Sequence, residues 1–285
     1  MEKIIAPAKL NLALDVLYRR PDRYHEVDMI MQSLSLADEL TLESSKNTKL
    51  TCNNPNLVVD ENNLVWKAVR LIQQKLGINS GVQITLQKSI PIAAGLAGGS
   101  ADAAATLIGL NRLWKLNLTP EELMGLGITL GADVPFCIFQ GAARARGIGE
   151  QLTPLNSRLK CHVFIVTPNI AIATPEVYRR LKTDQLQQRP RINEAIEALI
   201  SGAVEELFLT WGNVLETAVL PYYPEVRWLK ELFQECGIKH CLMSGSGPSI
   251  FCLNPPSEAI ELIVSKLPTG WFHYLCEFKN RLESN

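Results

Sequence analysis

The sequence carries almost no net charge: 28 Lys and Arg stand against 29 Asp and Glu, leaving −1 over 285 residues. That balance removes the electrostatic footprint a general nucleic-acid binder needs to neutralise phosphates. Histidine is scarce, with four residues at positions 25, 162, 240 and 273. None has metal-ligand spacing, and His25-Glu26 lacks a second histidine four residues on, so no protein metal-ligand set is expected. The seven cysteines are odd in number and contain no C-x-x-C. This argues against a zinc ribbon or a disulfide framework and for reduced, mostly buried thiols. Long apolar runs are missing too. The longest uncharged stretch, His240 to Ser257, is interrupted by glycine, serine and proline, which would leave backbone groups unpaired in lipid. Patterned sequence begins by Ile4 without a basic-then-apolar signal region, so a cytoplasmic protein with no membrane partner is expected.

What is present is an ordinary globular composition, 47% hydrophobic and 20% charged, in a length that suits about two domains. Glycine is unevenly spread: ten of 18 fall between Gly95 and Gly149. Glycine collects where the backbone needs positive φ or must approach something closely.

The patterning predicts α+β elements. Ile4 to Leu17 alternates as a half-buried strand, with Leu10, Leu12, Leu14 and Val16 on one face and Lys9, Asn11 and Asp15 displayed on the other. Strands are also expected over Met29–Leu42, Val82–Lys88, Val163–Thr167 and Trp271–Phe278, and on both sides of Ser244–Pro248. Asn63 to Leu76 reads as a helix stopped by Gly77, and Ser100 to Trp114 as an alanine-rich helix. Thr119-Pro-Glu-Glu122 is a capping box; its helix is expected to end near Leu130 with Gly131 as a left-handed stop. Ala142–Leu152 reads as a hairpin and Thr174-Pro175 as a further helix cap. Helices are expected over Arg191–Leu209, Pro224–Glu235 and Ser257–Lys266. Glycine density falls near Asn156, which suggests an N-terminal domain over 1–156 and a C-terminal domain over 157–285.

Five segments carry candidate chemistry. The run Pro91-Ile92-Ala93-Ala94-Gly95-Leu96-Ala97-Gly98-Gly99-Ser100-Ala101 joins a strand to a helix N-terminus through a glycine-rich turn. Backbone N–H groups and the helix dipole there suit a phosphate, although tight helix–strand packing would want the same small residues. It is neither a Walker loop nor a G-x-G-x-x-G fingerprint. Lys9, taken alone, is most simply a snorkelling lysine, and Asp133 in Gly131-Ala-Asp-Val-Pro a turn former. Arg19 to Glu26 is a charged loop ending in Tyr24-His25, rings suited to stacking on a flat base. Ser244-Gly-Ser-Gly-Pro-Ser249 is a second tight turn, suited to a close backbone approach.

Together and in this order, Pro7-Ala-Lys9-Leu-Asn11-Leu, Pro91-x₃-Gly-Leu-x-Gly-Gly-Ser100 and Ser244-Gly-Ser-Gly resemble the galactokinase, homoserine kinase, mevalonate kinase and phosphomevalonate kinase (GHMP) superfamily. Arg20-Pro-Asp-x-Tyr24-His25-Glu26, Leu130-Gly-Ala-Asp133-Val-Pro and Ala145-Arg-Gly-Ile-Gly149-Glu150 bring the chain nearest to the 4-diphosphocytidyl-2-C-methyl-D-erythritol kinases within it. The resemblance runs from about Ile5 to Leu253. It implies a two-domain α+β GHMP-kinase fold, with a ribosomal-protein-S5-like N-terminal and a ferredoxin-like C-terminal domain. It also implies ATP- and Mg²⁺-dependent phosphorylation of the 2-hydroxyl of CDP-methylerythritol on the non-mevalonate route to isoprenoid precursors. Lys9 and Asp133 match the family's catalytic pair, and Pro91 to Ala101 its ATP-phosphate loop. Asn63 and Lys88 fall where it lines the adenine pocket. Tyr24 and Tyr178 match the rings that sandwich cytosine, His25 the group on its edge, and Asn11 a substrate position. A small-molecule partner and a monomer or weak homodimer are expected.

Three positions depart from the family pattern. Ala97 stands for a loop glycine, which is harmless only at negative φ. Ala101 stands for a serine, and Arg23 for a glycine before Tyr24. The remaining alternatives are a sister kinase acting on mevalonate-type or sugar substrates, which would give Tyr24-His25 nothing to stack on, and a non-catalytic nucleotide-binding regulator, which would not need Lys9 and Asp133.

Overall fold

The computed structural model describes residues 1–280. The chain divides into two compact units, one formed by Met1–Ala8, Leu36–Ile92 and Ala97–Gln140, the other by Lys9–Ser35, Ala93–Leu96 and Gly141 onward. Strands β1 (Glu2–Arg19) and β2 (His25–Ser45) are long, and each gives one half to either unit.

In the first unit, β2 pairs antiparallel with β4 (Gly81–Gln87) from Glu39↔Gln87 to Ser45↔Gly81, and β3 (Lys49–Cys52) runs parallel to β4. Its helices are α1 (Leu64–Leu76), α2 (Gly98–Leu113), α3 (Pro120–Gly127) and α4 (Val134–Phe139). The core joins Leu40, Leu42, Ile84 and Leu86 of the strands to Val69 and Ile72 of α1 and Leu107 and Leu110 of α2. Each such buried side chain contributes about 1.5–3 kcal/mol of transfer free energy. The alanines of α2 are explained by closeness: a Cβ at Gly109 would meet Leu42 Cδ1 at 2.7 Å, so only small residues let this helix lie on the strands.

In the second unit, the first half of β2 pairs with β5 (Ala142–Gly147), which turns back into β6 (Gln151–Pro154). The short β8 (Gly212–Asn213) runs parallel to β1, with Ala13 opposite Gly212. A separate four-stranded antiparallel sheet holds β7 (His162–Thr167), β9 (Cys241–Met243), β10 (Ile250–Leu253) and β11 (Phe272–Glu277) in the order β11-β7-β10-β9. Numbered within the sheet that is 4-1-3-2, the split βαβ pattern of ferredoxin-like folds. The unit's helices are α5 (Thr174–Arg180), α6 (Ile192–Ser201), α7 (Val204–Thr210), α8 (Glu216–Val219), α9 (Pro224–Glu235) and α10 (Ser257–Lys266). No disulfide joins the seven cysteines, and all but Cys52 are buried. Cys241 and Cys252 face each other across β9 and β10, and burial pushes the Cys241 thiol up to about 12 and Cys252 higher still.

Several expectations need correction. Strand β1 is buried on both faces from Ala6 to Val16, not half-buried. The helix after Thr119 keeps its capping box but ends at Gly127. Gly131 is not left-handed: turn hydrogen bonds from the Leu130 and Gly131 N–H groups to Gly127 lead the chain onward, and the Val134 N–H donates to the Gly131 carbonyl as α4 begins. Thr174 is the first residue of α5 and not its cap; its hydroxyl pairs with Ser246 at 2.8 Å. The long helix expected over Arg191–Leu209 is two helices, interrupted at Gly202 with φ +84°.

Candidate active site

The glycine-rich segment has left-handed backbone at alternate residues: Ala93 at φ +54°, Gly95 at +74° and Ala97 at +57°. Alternation of this kind turns successive N–H groups into one concavity, an anion nest. Three consecutive carbonyls in the middle of the segment are held by the protein. The Ser249 hydroxyl donates to the Ala94 carbonyl at 2.6 Å, the Ser244 hydroxyl to Gly95 at 3.0 Å, and the Lys9 N–H to Leu96 at 3.1 Å. In a planar trans peptide the following N–H points the opposite way, so the N–H groups of Gly95, Leu96 and Ala97 face away from these partners. Helix α2 then starts with no side-chain cap and no acidic residue in its first turn, leaving its first N–H groups and dipole for an anion.

The glycines separate by cause. At Gly95 a Cβ would collide with the Ser244 carbonyl oxygen, and at Gly98 it would sit 2.9 Å from Lys88 Nζ and 3.0 Å from Ile90 Cγ2. Packing alone explains both. At Gly99 it would meet Leu64 at an ordinary 3.5 Å, so tertiary packing among the described residues does not demand glycine there. Ala97 does not keep the negative φ that would make it harmless. It holds a conformation that costs an L-residue about 1–2 kcal/mol.

Behind the segment lies a buried charge cluster within the first unit. Lys88 Nζ is bonded to Asp38 and, at 2.8 Å, to Asp102 one turn into α2. Asp38 also accepts the Ser89 and Ile90 N–H groups at 2.6 and 2.8 Å. Burial raises the Asp102 carboxyl to about 7, against the pull of Lys88. Its second oxygen, Oδ1, is buried without a hydrogen-bond partner. The Asn63 amide is likewise engaged: its oxygen caps α1 through the Val65 N–H at 2.9 Å and its nitrogen donates to the Val58 carbonyl at 2.6 Å.

Lys9 does not snorkel. It is 4% exposed and donates to Asn11 Oδ1 at 2.7 Å, while the Asn11 nitrogen reaches Met29 Sδ at 3.1 Å. Gly245 lies over the pair, its missing Cβ position 3.3 Å from Asn11 Oδ1 and 3.6 Å from Lys9 Nζ. Asp133 occupies the N-cap position of α4 and is half-buried, its side chain making no cap bond to that helix.

The β1–β2 hairpin places the aromatic pair. The Arg20 N–H donates to the Tyr24 carbonyl at 2.8 Å and the Tyr24 N–H to Asp22 Oδ1 at 3.1 Å. The Arg20 guanidinium pairs with Asp22 and with Glu26, which also accepts the Gly147 N–H at 3.0 Å. Arg23, where the family pattern has glycine, is left-handed, at φ +74°. Tyr24 is left 59% exposed, and the His25 and Tyr178 rings lie 5.2 Å apart, tilted by 39°. Partial burial and, to a lesser degree, the Arg19 charge lower the His25 pKa, so a neutral imidazole is present at pH 7.

Residues 63–141 match the model of the GHMP kinases N terminal domain and residues 195–272 that of the GHMP kinases C terminal domain. The 4-diphosphocytidyl-2-C-methyl-D-erythritol kinase of Alkaliphilus metalliredigens is 47% identical over 246 residues, 86% of this chain and 84% of the relative. A crystal structure of 4-(cytidine 5'-diphospho)-2C-methyl-D-erythritol kinase is 32% identical, covers 98% of this chain and all of its own, and superposes with a TM-score of 0.82. The chain belongs to this kinase family. A homoserine kinase from Cytophaga hutchinsonii, 20% identical over 96% of this chain and 93% of its own, shares the fold at a TM-score of 0.73.

The sequence singled out the segments of this candidate site but not the groups that hold them. Asp38 and Asp102 gave no signal, being an ordinary strand residue and an ordinary helix residue. The pairing of buried Asp15 with the exposed Arg189, at 2.7 Å, was equally silent, since 174 positions separate the partners. The hydroxyls of Ser244 and Ser249 were signalled by their turn, although their targets were not.

Proposed function

We propose that this kinase transfers the γ-phosphoryl group of ATP to the 2-hydroxyl of 4-diphosphocytidyl-2-C-methyl-D-erythritol, a step toward isoprenoid precursors. The observation that carries the reading is the nest at Ala93, Gly95 and Ala97 running into the uncapped N-terminus of α2. It offers N–H groups to a polyphosphate without basic side chains, which agrees with a chain of net charge −1. Phosphoryl transfer needs positioning and charge neutralisation more than covalent help, and such a nest supplies both.

In this reading Asp133 accepts the proton of the substrate hydroxyl, and Lys9, held by Asn11, stabilises the charge growing on that oxygen. Tyr24 and Tyr178 stack on the cytosine. Neutral His25 bonds its edge, a role an imidazolium fills less well because both its nitrogens are donors. The donors present fit a magnesium ion that arrives with the nucleotide. Among the described residues no group of three or more His, Cys, Asp or Glu forms a cage. The Ser100 hydroxyl at the start of α2 is a hard oxygen donor of the kind such an ion takes beside phosphate oxygens. When bound, the ion would neutralise charge on the β- and γ-phosphates.

The test is ADP release with a panel of alcohols, on the wild type and on Lys9→Ala and Asp133→Asn. Turnover is expected only with the cytidylylated erythritol, and kcat is expected to fall by about 10²–10⁴ in each variant. Intact turnover in both variants overturns the catalytic assignment. Equal turnover of alcohols lacking cytidine overturns the substrate.

A further inference from the structure

The cluster of Asp38, Lys88 and Asp102 is an odd thing to bury. Two carboxylates and one ammonium lie at 0 to 4% side-chain exposure, and one carboxylate oxygen has no partner. An apolar replacement of similar volume is commonly neutral or more stable than a buried ion cluster, so stability alone is a poor reason for it. Geometry supplies a better one. Asp38 takes the N–H groups of Ser89 and Ile90, the last residues before the glycine-rich segment, while Asp102 sits one turn into the helix that follows it. Lys88 bonds to both. Its ammonium also fills the space beside Gly98, where a Cβ would lie 2.9 Å away. One cation therefore ties the entry of the segment to its exit. An apolar cluster would fill the volume but could not aim the Ser89 and Ile90 amides.

We propose that Lys88, with Asp38 and Asp102, is a positioning residue that staples the two ends of the Pro91–Ala101 segment, so that it serves nucleotide binding through the loop's shape and not by touching the base. This rests on the reading of that segment as the phosphate loop. It predicts that the cluster matters equally for ligands with and without a base. Inorganic tripolyphosphate, which has none, is the probe.

The experiment measures tripolyphosphate inhibition against ATP, and the KM of ATP and of the cytidylylated alcohol. It uses the full chain as wild type, Lys88→Met, Asp102→Ala and Asp102→Asn, each checked for folding by thermal unfolding. Asp102→Ala and Lys88→Met are expected to weaken tripolyphosphate and ATP by the same factor, about tenfold or more, with KM for the alcohol little changed. Asp102→Asn, which keeps the volume and an acceptor for Lys88, is expected to restore most of the loss. If Lys88→Met does not fold, the two Asp102 variants decide. ATP weakened with tripolyphosphate unchanged would mean a contact with the base and overturns the proposal. So does an Asp102→Ala enzyme that binds both normally, or an Asn variant no better than Ala. If tripolyphosphate fails to compete with ATP on the wild type, the segment is not the phosphate loop, and the functional reading falls before any variant is compared.

Discussion

Ala97 and Arg23 both hold left-handed backbone, at φ +57° and +74°, where the family pattern puts glycine, yet their surroundings differ. The segment around Ala97 is tied to buried partners: Asp38 at its entry and the Ser244 and Ser249 hydroxyls in its middle. The hairpin around Arg23 is tied by Arg20, Asp22 and Glu26, all in reach of water. Buried hydrogen bonds are costly to leave unmade, whereas exposed ion pairs are screened and exchange readily with solvent. The glycine-rich segment is therefore held to one shape, and the β1–β2 hairpin is held more loosely. That suits the jobs proposed for them, since a nest must have its N–H groups aimed before the anion arrives, while a stacking tyrosine needs only a direction.

The sharpest way to break this contrast is Gly95→Ala. It adds a Cβ against the Ser244 carbonyl at a residue with φ +74°. A loss of about 3 kcal/mol or more is expected, read as a large drop in melting temperature. Asp22→Ala, the counterpart on the hairpin, is expected to leave melting nearly unchanged and to raise only KM for the cytidylylated substrate. Comparable unfolding effects in the two variants would erase the distinction.

A smaller effect comes from restoring the glycines. Ala97→Gly and Arg23→Gly are each expected to stabilise by roughly 1 kcal/mol, the strain relieved less the entropy that glycine loses on folding. Chemical denaturation measures both. Destabilisation by either substitution would show that its left-handed backbone carries no strain.

The smallest effect is on pH dependence. The folded His25 binds its proton less readily than the ordinary imidazole near 6.5. The unfolded chain therefore holds more protons in the window between the lowered and the ordinary value, and stability contributed by neutral His25 is lost as pH falls through it. KM for the cytidylylated substrate is expected to rise over the same acid range, and His25→Gln to flatten that rise. An equal acid-side rise in the variant would remove His25 from base recognition.

Legibility followed sequence distance. Asn63 and Gly77 bound α1 as read, the Thr119 box starts α3, and α10 spans Ser257–Lys266 as expected, because caps and periodicity are local signals. The misreadings are places where two local signals agree with more than one structure. A glycine after a helix, such as Gly131, suits a left-handed stop or a plain turn into the next helix. A lysine on an apolar strand, such as Lys9, snorkels unless something covers it, and what covers it is Gly245, far along the chain. β3, α4, β8 and α8 are four to six residues long or shorter, with too few positions to show a period. The family resemblance supplied the candidate site residues by motif. It could not supply Asp38 or Asp102, whose roles exist only once strand and helix are packed.

The six buried thiols also turn the chain into its own recorder of opening. A buried thiol is out of a reagent's reach, so alkylation must wait for the surrounding structure to part. Cys137 lies in the first unit, while Cys161, Cys236, Cys241, Cys252 and Cys276 lie in the second. Mass-resolved alkylation with time would thus follow the breathing of each unit separately, with no label introduced and no core residue replaced.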